Sequence, residues 1–120
     1  MPDNTHSRVL IVDDNRAAAD ILATLVRLLG HEVVVAYDGQ SGIRIARTFN
    51  PDLVLLDLVM PGVDGFSVAR QLRRFSVPTK IVALTAFNQP AFVEAAGAAG
   101  CDSLIAKPAT ADQLNRLFLH

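Results

Sequence analysis

Four apolar runs in this 120-residue chain end on polar residues whose types could do chemistry together. "VLIV" (9–12) runs into Asp13 and Asp14, "LVLL" (53–56) into Asp57, "IVAL" (81–84) into Thr85, and "SLIA" (103–106) into Lys107. Apolar runs are buried, and charges are costly to bring with them, so acids at their tips need a reason. Two carboxylates ~5 Å apart repel by roughly 3 kcal/mol at an effective dielectric of ~20. Three acids gathered in one pocket demand compensation, and Lys107 alone cannot balance them. A divalent cation is the natural remainder, and an all-oxygen donor set favours Mg²⁺ or a similar hard ion.

Such a pocket suits phosphoryl transfer, which asks mainly for alignment and for neutralised charge around phosphorus. An Asp carboxylate can act as the nucleophile there, giving an acyl phosphate. Asp57, on the middle run, is placed to attack. Asp13 and Asp14 would hold the metal together with Asp57, directly or through water. Thr85 offers a hydroxyl to one phosphoryl oxygen, and Lys107 an ammonium to another.

The elements that must position these groups alternate regularly. "RVLIV" (8–12), "EVVVA" (32–36), "LVLLD" (53–57), "KIVAL" (80–84) and "SLIA" (103–106) read as buried strands. A helix follows each. Asn15 caps the first, whose apolar positions Leu22, Leu25, Val26 and Leu29 keep the 3.6-residue period, and Gly30 closes it. "DGQ" opens a second helix carrying Ile43, Ala46 and Phe49, ended by "NPD". After the third strand, "LVMPGVDG" is too irregular for helix; Asp64 ends this loop and caps a third helix with Phe66, Ala69, Leu72 and Arg73. Pro90 suits the first turn of a fourth helix, and Thr110 with Gln113 has capping-box spacing at the start of the fifth. Five near-continuous apolar strands separated by helices predict an α/β, flavodoxin-like (βα)5 sandwich. Its parallel sheet has strand order 2-1-3-4-5, and ligands bind beyond the carboxyl ends of strands 1 and 3.

Composition narrows the function classes. The length suits one domain, expected over residues 8–120, with a loose leader over 1–7. No apolar run approaches the ~20 residues of a membrane helix, and the leader lacks the features of a secretory signal. The single cysteine, Cys101, excludes an internal disulfide and a cysteine-based metal knuckle, and a reducing, cytoplasmic location is expected. The net charge is −1 and "RQLRR" (70–74) is the densest basic cluster, read as a solvated helix face, so no nucleic-acid binding by this domain is expected. His6, His31 and His120 are scattered and suggest no histidine site. Cys101, Met60 and Phe66 read as packing residues.

Taken together, "VLIVDDN", "PDLVLLDLVMPGVDGF", "ALTA" and "AAGCDSLIAKP" resemble, in order and spacing, the receiver domain of response regulators over nearly the whole chain. The resemblance implies Asp57 as phosphoacceptor, Asp13 and Asp14 as the acid pair for Mg²⁺, Thr85 as a conformational-switch hydroxyl and Lys107 as the phosphate-binding lysine. It implies a sensor histidine kinase or histidine phosphotransfer protein as donor, an output protein as reader, and a monomer or weak dimer. Leu58 would supply only backbone, Gly62 and Gly65 would shape the turn, and Lys107-Pro108 is a candidate cis bond.

The chain departs from the family at Leu104, where many receivers carry Tyr or Phe. Output signalling at the surface around the fourth helix, fifth strand and fifth helix is therefore expected to differ or weaken, while phosphorylation is not affected. Val59 and Phe87, two residues beyond Asp57 and Thr85, cannot orient an attacking water, which predicts a long-lived phosphorylated form. The competing readings are an interaction-only receiver, an aspartate-based phosphatase and a flavodoxin-like nucleotide binder. The phosphatase lacks its Asp-x-Asp pattern on strand 1 and a cap domain; the nucleotide binder lacks a glycine-rich phosphate loop.

Overall fold

The computed structural model describes residues 6–60, 63–75, 79–87 and 89–118. Five strands form one parallel sheet: β1 (Arg8–Val12), β2 (Glu32–Ala36), β3 (Leu53–Asp57), β4 (Lys80–Thr85) and β5 (Ser103–Ala106), in the order β2-β1-β3-β4-β5. This is the predicted 2-1-3-4-5 arrangement. The helices are α1 (Arg16–Leu28), α2 (Gly39–Phe49), α3 (Gly65–Phe75), α4 (Pro90–Ala98) and α5 (Ala111–Leu117). A short antiparallel ladder, Val59–Met60 with Val63–Asp64, lies within the loop that the sequence left irregular. Its hydrogen bonds come from backbone alone, which leaves little trace in residue type.

Strand side chains alternate between the two faces, and the core divides accordingly. Val9, Ile11, Leu53, Leu55, Val82 and Leu84 face α1 and α5, meeting Ala19, Leu22, Val26 and Leu114. Leu10, Val12, Val54, Leu56, Ile81 and Ala83 face α2, α3 and α4, meeting Ala46, Val68, Leu72 and Ala96. Burying one Leu or Ile fully contributes about 1.5–3 kcal/mol, so both faces must be covered for the sheet to persist.

The local signals act as expected. Asn15 accepts the Ala18 N–H as N-cap of α1, and Gly30 follows its end at φ +98°, a left-handed conformation that favours glycine. Asp64 Oδ1 accepts the Phe66 N–H at 3.0 Å at the start of α3. Thr110 and Gln113 form the capping box of α5. Met60 is buried, Phe66 half-buried, and Cys101 half-buried against the α3–α4 side of the core. Burial pushes the Cys101 thiol up to about 11, leaving it protonated and inert at neutral pH.

Two readings need correction. Arg73 is not part of a solvated face: its guanidinium bonds the carbonyls of Thr79 and Gly100 and the carboxylate of Asp102. His6 and His31 are not scattered either. His6 Nδ1 lies 3.2 Å from the Gly30 carbonyl, and His31 Nδ1 accepts the Ser7 N–H at 3.0 Å while its ring stacks on Phe118. Both ties cross 24 residues of sequence, which no local pattern exposes. His120 and Gly62 lie outside the described residues. Among the described residues, no helix is long and apolar enough to cross a membrane.

Candidate functional site

The sheet delivers its polar tips to one edge. Val12 of β1 pairs with Leu56 of β3, so Asp13 and Asp57 leave adjacent parallel strands at the same level. Asp57 in turn pairs with Leu84 of β4, which places Thr85 one residue further along the neighbouring strand. Thr85 pairs with Ala106 of β5, and the Lys107 N–H donates to the Thr85 carbonyl at 2.8 Å. That bond fixes where the lysine side chain departs. The Lys107–Pro108 peptide is cis.

The acids meet. Asp13, Asp14 and Asp57 each offer a carboxylate oxygen, all within 4.8 Å of one another. Asp13 and Asp57 are buried, at 1% and 5% exposure, whereas Asp14 is exposed and has no hydrogen-bond or ion-pair partner among the described residues. Lys107 Nζ lies 2.9 Å from Asp13 Oδ2 and 3.2 Å from Asp57 Oδ2, bridging the two buried acids. One ammonium against three carboxylates leaves an excess of two negative charges. The other oxygens of the buried pair are oriented by backbone: Asp13 Oδ1 accepts the Asn15 N–H, and Asp57 Oδ1 the Val59 N–H, both at 3.0 Å.

Electrostatics follow from this crowding. Burial raises the Asp57 pKa above the ordinary carboxylate value; the Val59 N–H and Lys107 pull it back, and Asp13 adds to the rise. For Lys107, burial works against the ammonium, but its hydrogen bond to Asp13 and the charges of both acids outweigh it. The net shift is upward, and the lysine stays charged. The donor set is all oxygen and carries excess negative charge, so the residues fit a hard divalent ion such as Mg²⁺.

The surrounding loop is tightly built. A Cβ on Gly65 would stand 2.4 Å from the Leu58 Cα and 2.6 Å from its carbonyl oxygen, so only glycine lets α3 begin against the residue that follows Asp57. Leu58 itself is buried, and its N–H donates to the Leu84 carbonyl at 3.3 Å. Thr85 is fully buried, and its hydroxyl oxygen accepts the Phe87 N–H at 3.0 Å. From Phe87 an aromatic row leads outward: Phe87 to Phe92 at 5.9 Å and Phe92 to Phe66 at 5.2 Å, linking the β4 tip to α4 and α3. The sequence did not reveal this row, because its members are 21 and 5 residues apart in unrelated elements. Leu104 is half-buried against the same α3–α4 side of the core.

Comparison with known proteins agrees with this geometry. The family model for the response regulator receiver domain matches residues 9–118. The DNA-binding response regulator MtrA of Mycobacterium tuberculosis is 40% identical over 107 residues, covering 88% of this chain and 46% of that protein. RpaA of Synechocystis, a DNA-binding dual master transcriptional regulator, is 34% identical over 109 residues, covering 89% of this chain and 45% of its own length. The chain thus spans about half the length of the curated relatives it matches. Among solved structures, Vibrio cholerae chemotaxis protein CheY4 superposes with a TM-score of 0.88 at 26% identity, covering 93% of this chain and 95% of that one. With the strand order, the acid cluster and a family match spanning nearly all of its length, the chain belongs to the response-regulator receiver family.

Proposed function

We propose that Asp57 accepts a phosphoryl group from a phosphohistidine of a sensor histidine kinase or histidine phosphotransfer protein. The observation that best supports this is the Lys107 ammonium, held between Asp13 and Asp57 in a pocket that still carries excess negative charge. In the transfer, an Asp57 oxygen bonds to phosphorus as the P–N bond of the donor imidazole breaks. The electron pair leaves on that nitrogen. Asp13, Asp14 and Asp57 would hold Mg²⁺, which when bound supplies positive charge to the phosphoryl oxygens. Lys107 has three N–H donors and spends two on Asp13 and Asp57; the third is left for a phosphoryl oxygen. Thr85, whose hydroxyl proton is not used by its bond from Phe87, donates to another.

A donor helix has a seat beside the pocket. Ala18, Ile21, Leu22 and Leu25 of α1, with Pro108 and Ala109, line an apolar hollow of about 200 Å³ that reaches Asp13 and Lys107. Ile21 is 64% exposed there. Displacement of Thr85 toward the bound phosphoryl group would shift the Phe87–Phe92–Phe66 row, giving α4 a second position and a changed affinity for an output partner. The domain then acts in signalling, with no external substrate turned over. Val59 and Phe87, two residues beyond Asp57 and Thr85, are half-exposed and have no polar side-chain group to orient a water, so we expect slow autodephosphorylation.

Incubation with acetyl phosphate and Mg²⁺, followed by intact-mass measurement, tests the assignment. The native chain gains one phosphoryl group, while Asp57→Asn, or native chain with the metal chelated, gains none. Equal labelling of Asp57→Asn overturns the assignment. The lifetime claim fails if the native phosphate is lost as fast as from a variant with polar residues at 59 and 87.

A further inference from the structure

On the face of the sheet away from α1 and α5, α2 and α3 pack side by side, and their charges are all of one sign. Residues 39–49 and 65–75 contain five arginines (Arg44, Arg47, Arg70, Arg73 and Arg74) and no acid, although the chain as a whole carries a net charge of −1. The remaining helices lack this bias: α1 mixes Arg16, Asp20 and Arg27, α5 mixes Asp112 and Arg116, and α4 carries Glu94. A merely solvated face interleaves signs, since like charges one turn apart repel.

The fold absorbs only part of this charge. Arg73 is turned inward onto Thr79, Gly100 and Asp102, and Arg70 lies 3.9 Å from Asp64. Arg44, Arg47 and Arg74 are exposed, with no acid within ion-pair distance among the described residues. Asp38 caps α2 by accepting the Ser41 N–H and hydroxyl, and it feels the Arg44 charge without forming an ion pair with it. Between the helices runs a groove of about 440 Å³ lined by Gln40, Ile43, Arg44, Arg47 and Gln71. Arg74 stands one turn beyond Gln71 on the same strip of α3.

We propose that this groove binds an acidic polypeptide segment, with carboxylates on Arg44, Arg47 and Arg74 and an apolar side chain over Ile43. Guanidinium forks and the two flanking amides match carboxylates and peptide carbonyls, and Ile43 supplies the one apolar seat. A single-stranded nucleic acid would want an aromatic platform for its bases. The lining has none, and the nearby Phe75 ring is already covered by the Arg47 guanidinium at 4.7 Å. The site lies on different helices from the apolar hollow beside Lys107, so its occupant is a partner other than the phosphodonor.

The test uses the full chain, isotope-labelled and titrated with a short synthetic peptide of mixed Glu and Leu at low salt. Backbone amide signals of residues 39–49 and 65–75 shift, and binding weakens as salt is raised. Arg44→Gln combined with Arg47→Gln weakens binding by about tenfold, the loss expected for two charge-assisted contacts at a partly exposed site. Replacing Leu by Ser in the peptide weakens it further, while acetyl phosphate labelling of Asp57 is unchanged in the double variant. The proposal is overturned if no shift appears at millimolar peptide, or if shifts map to other helices. It is equally overturned if the double variant binds as well as the native chain, or if an oligothymidylate shifts the same amides at lower concentration than the peptide.

Discussion

The two ends of the sheet treat polar groups in opposite ways. At the amino ends of the strands, Asp52 and Asp102 both meet donors. Asp52 accepts the Arg8 N–H at 2.8 Å, and Asp102 accepts both the Ile81 N–H and the Arg73 guanidinium at 2.8 Å. Thr79 donates to the Pro51 carbonyl, and Arg73 closes the belt on the Thr79 carbonyl at 2.7 Å. At the carboxyl ends, three carboxylates crowd within 4.8 Å around one ammonium. Satisfied polar groups hold the fold together, whereas the unbalanced cluster is maintained at a cost in stability that a bound cation would offset. The same backbone thus carries a structural end and a reactive end.

Breaking the reactive end gives the largest expected effect. Lys107→Gln removes the ammonium that would meet charge on the phosphoryl oxygens, and the rate of labelling by a small phosphodonor falls by roughly 10²–10³. A rate within a few-fold of native would place the charge stabilisation elsewhere. At the structural end, Arg73→Ala orphans the carbonyls of Thr79 and Gly100 and costs about 2 kcal/mol in urea denaturation. Labelling of Asp57 under native conditions stays as before. Loss of labelling without loss of stability would reverse the comparison.

The smallest effects, read in pH, have opposite signs at the two ends. Asp57 has a folded pKa above its unfolded value of about 3.9. Its contribution to stability is full below that value and is lost as pH rises through the folded pKa. Asp57→Asn therefore gains stability over the native chain between pH 4 and 7. Mg²⁺ narrows the gap by stabilising the native chain alone, by about 1.4 kcal/mol at tenfold excess over its Kd. His31 is shifted down, first by burial and then by His6. Its contribution is present above about 6.5 and lost as pH falls through the folded pKa, because a proton on Nδ1 displaces the Ser7 N–H. His31→Phe flattens the stability profile from pH 7 to 5 in thermal unfolding; an unchanged slope would remove His31 from that end's balance.

What was legible in the chain was whatever depends on near neighbours. Strand alternation, the helical period of α1, the caps at Asn15, Asp64 and Thr110, and the polar tips at Asp13, Asp14, Asp57, Thr85 and Lys107 are local patterns, and each strand stands where its apolar run lies. Parallel strands of known handedness then left few ways to arrange the tips other than at one edge. Arg73, His31 and the aromatic row were not legible, because each acts on partners from other elements and its type alone is compatible with a solvated role.

By itself, then, the amino-acid sequence determined the alternation of strands and helices and which five side chains share a sheet edge, since hydrophobic period and cap chemistry operate over a few residues. Only the tertiary structure decided that Lys107 bridges Asp13 and Asp57 across 94 and 50 residues, that Gly65 must lie against Leu58, and that Arg44 and Arg47 of α2 share a groove with Gln71 of α3. Those outcomes depend on the distance and angle at which separate elements pack, quantities set by the whole core at once.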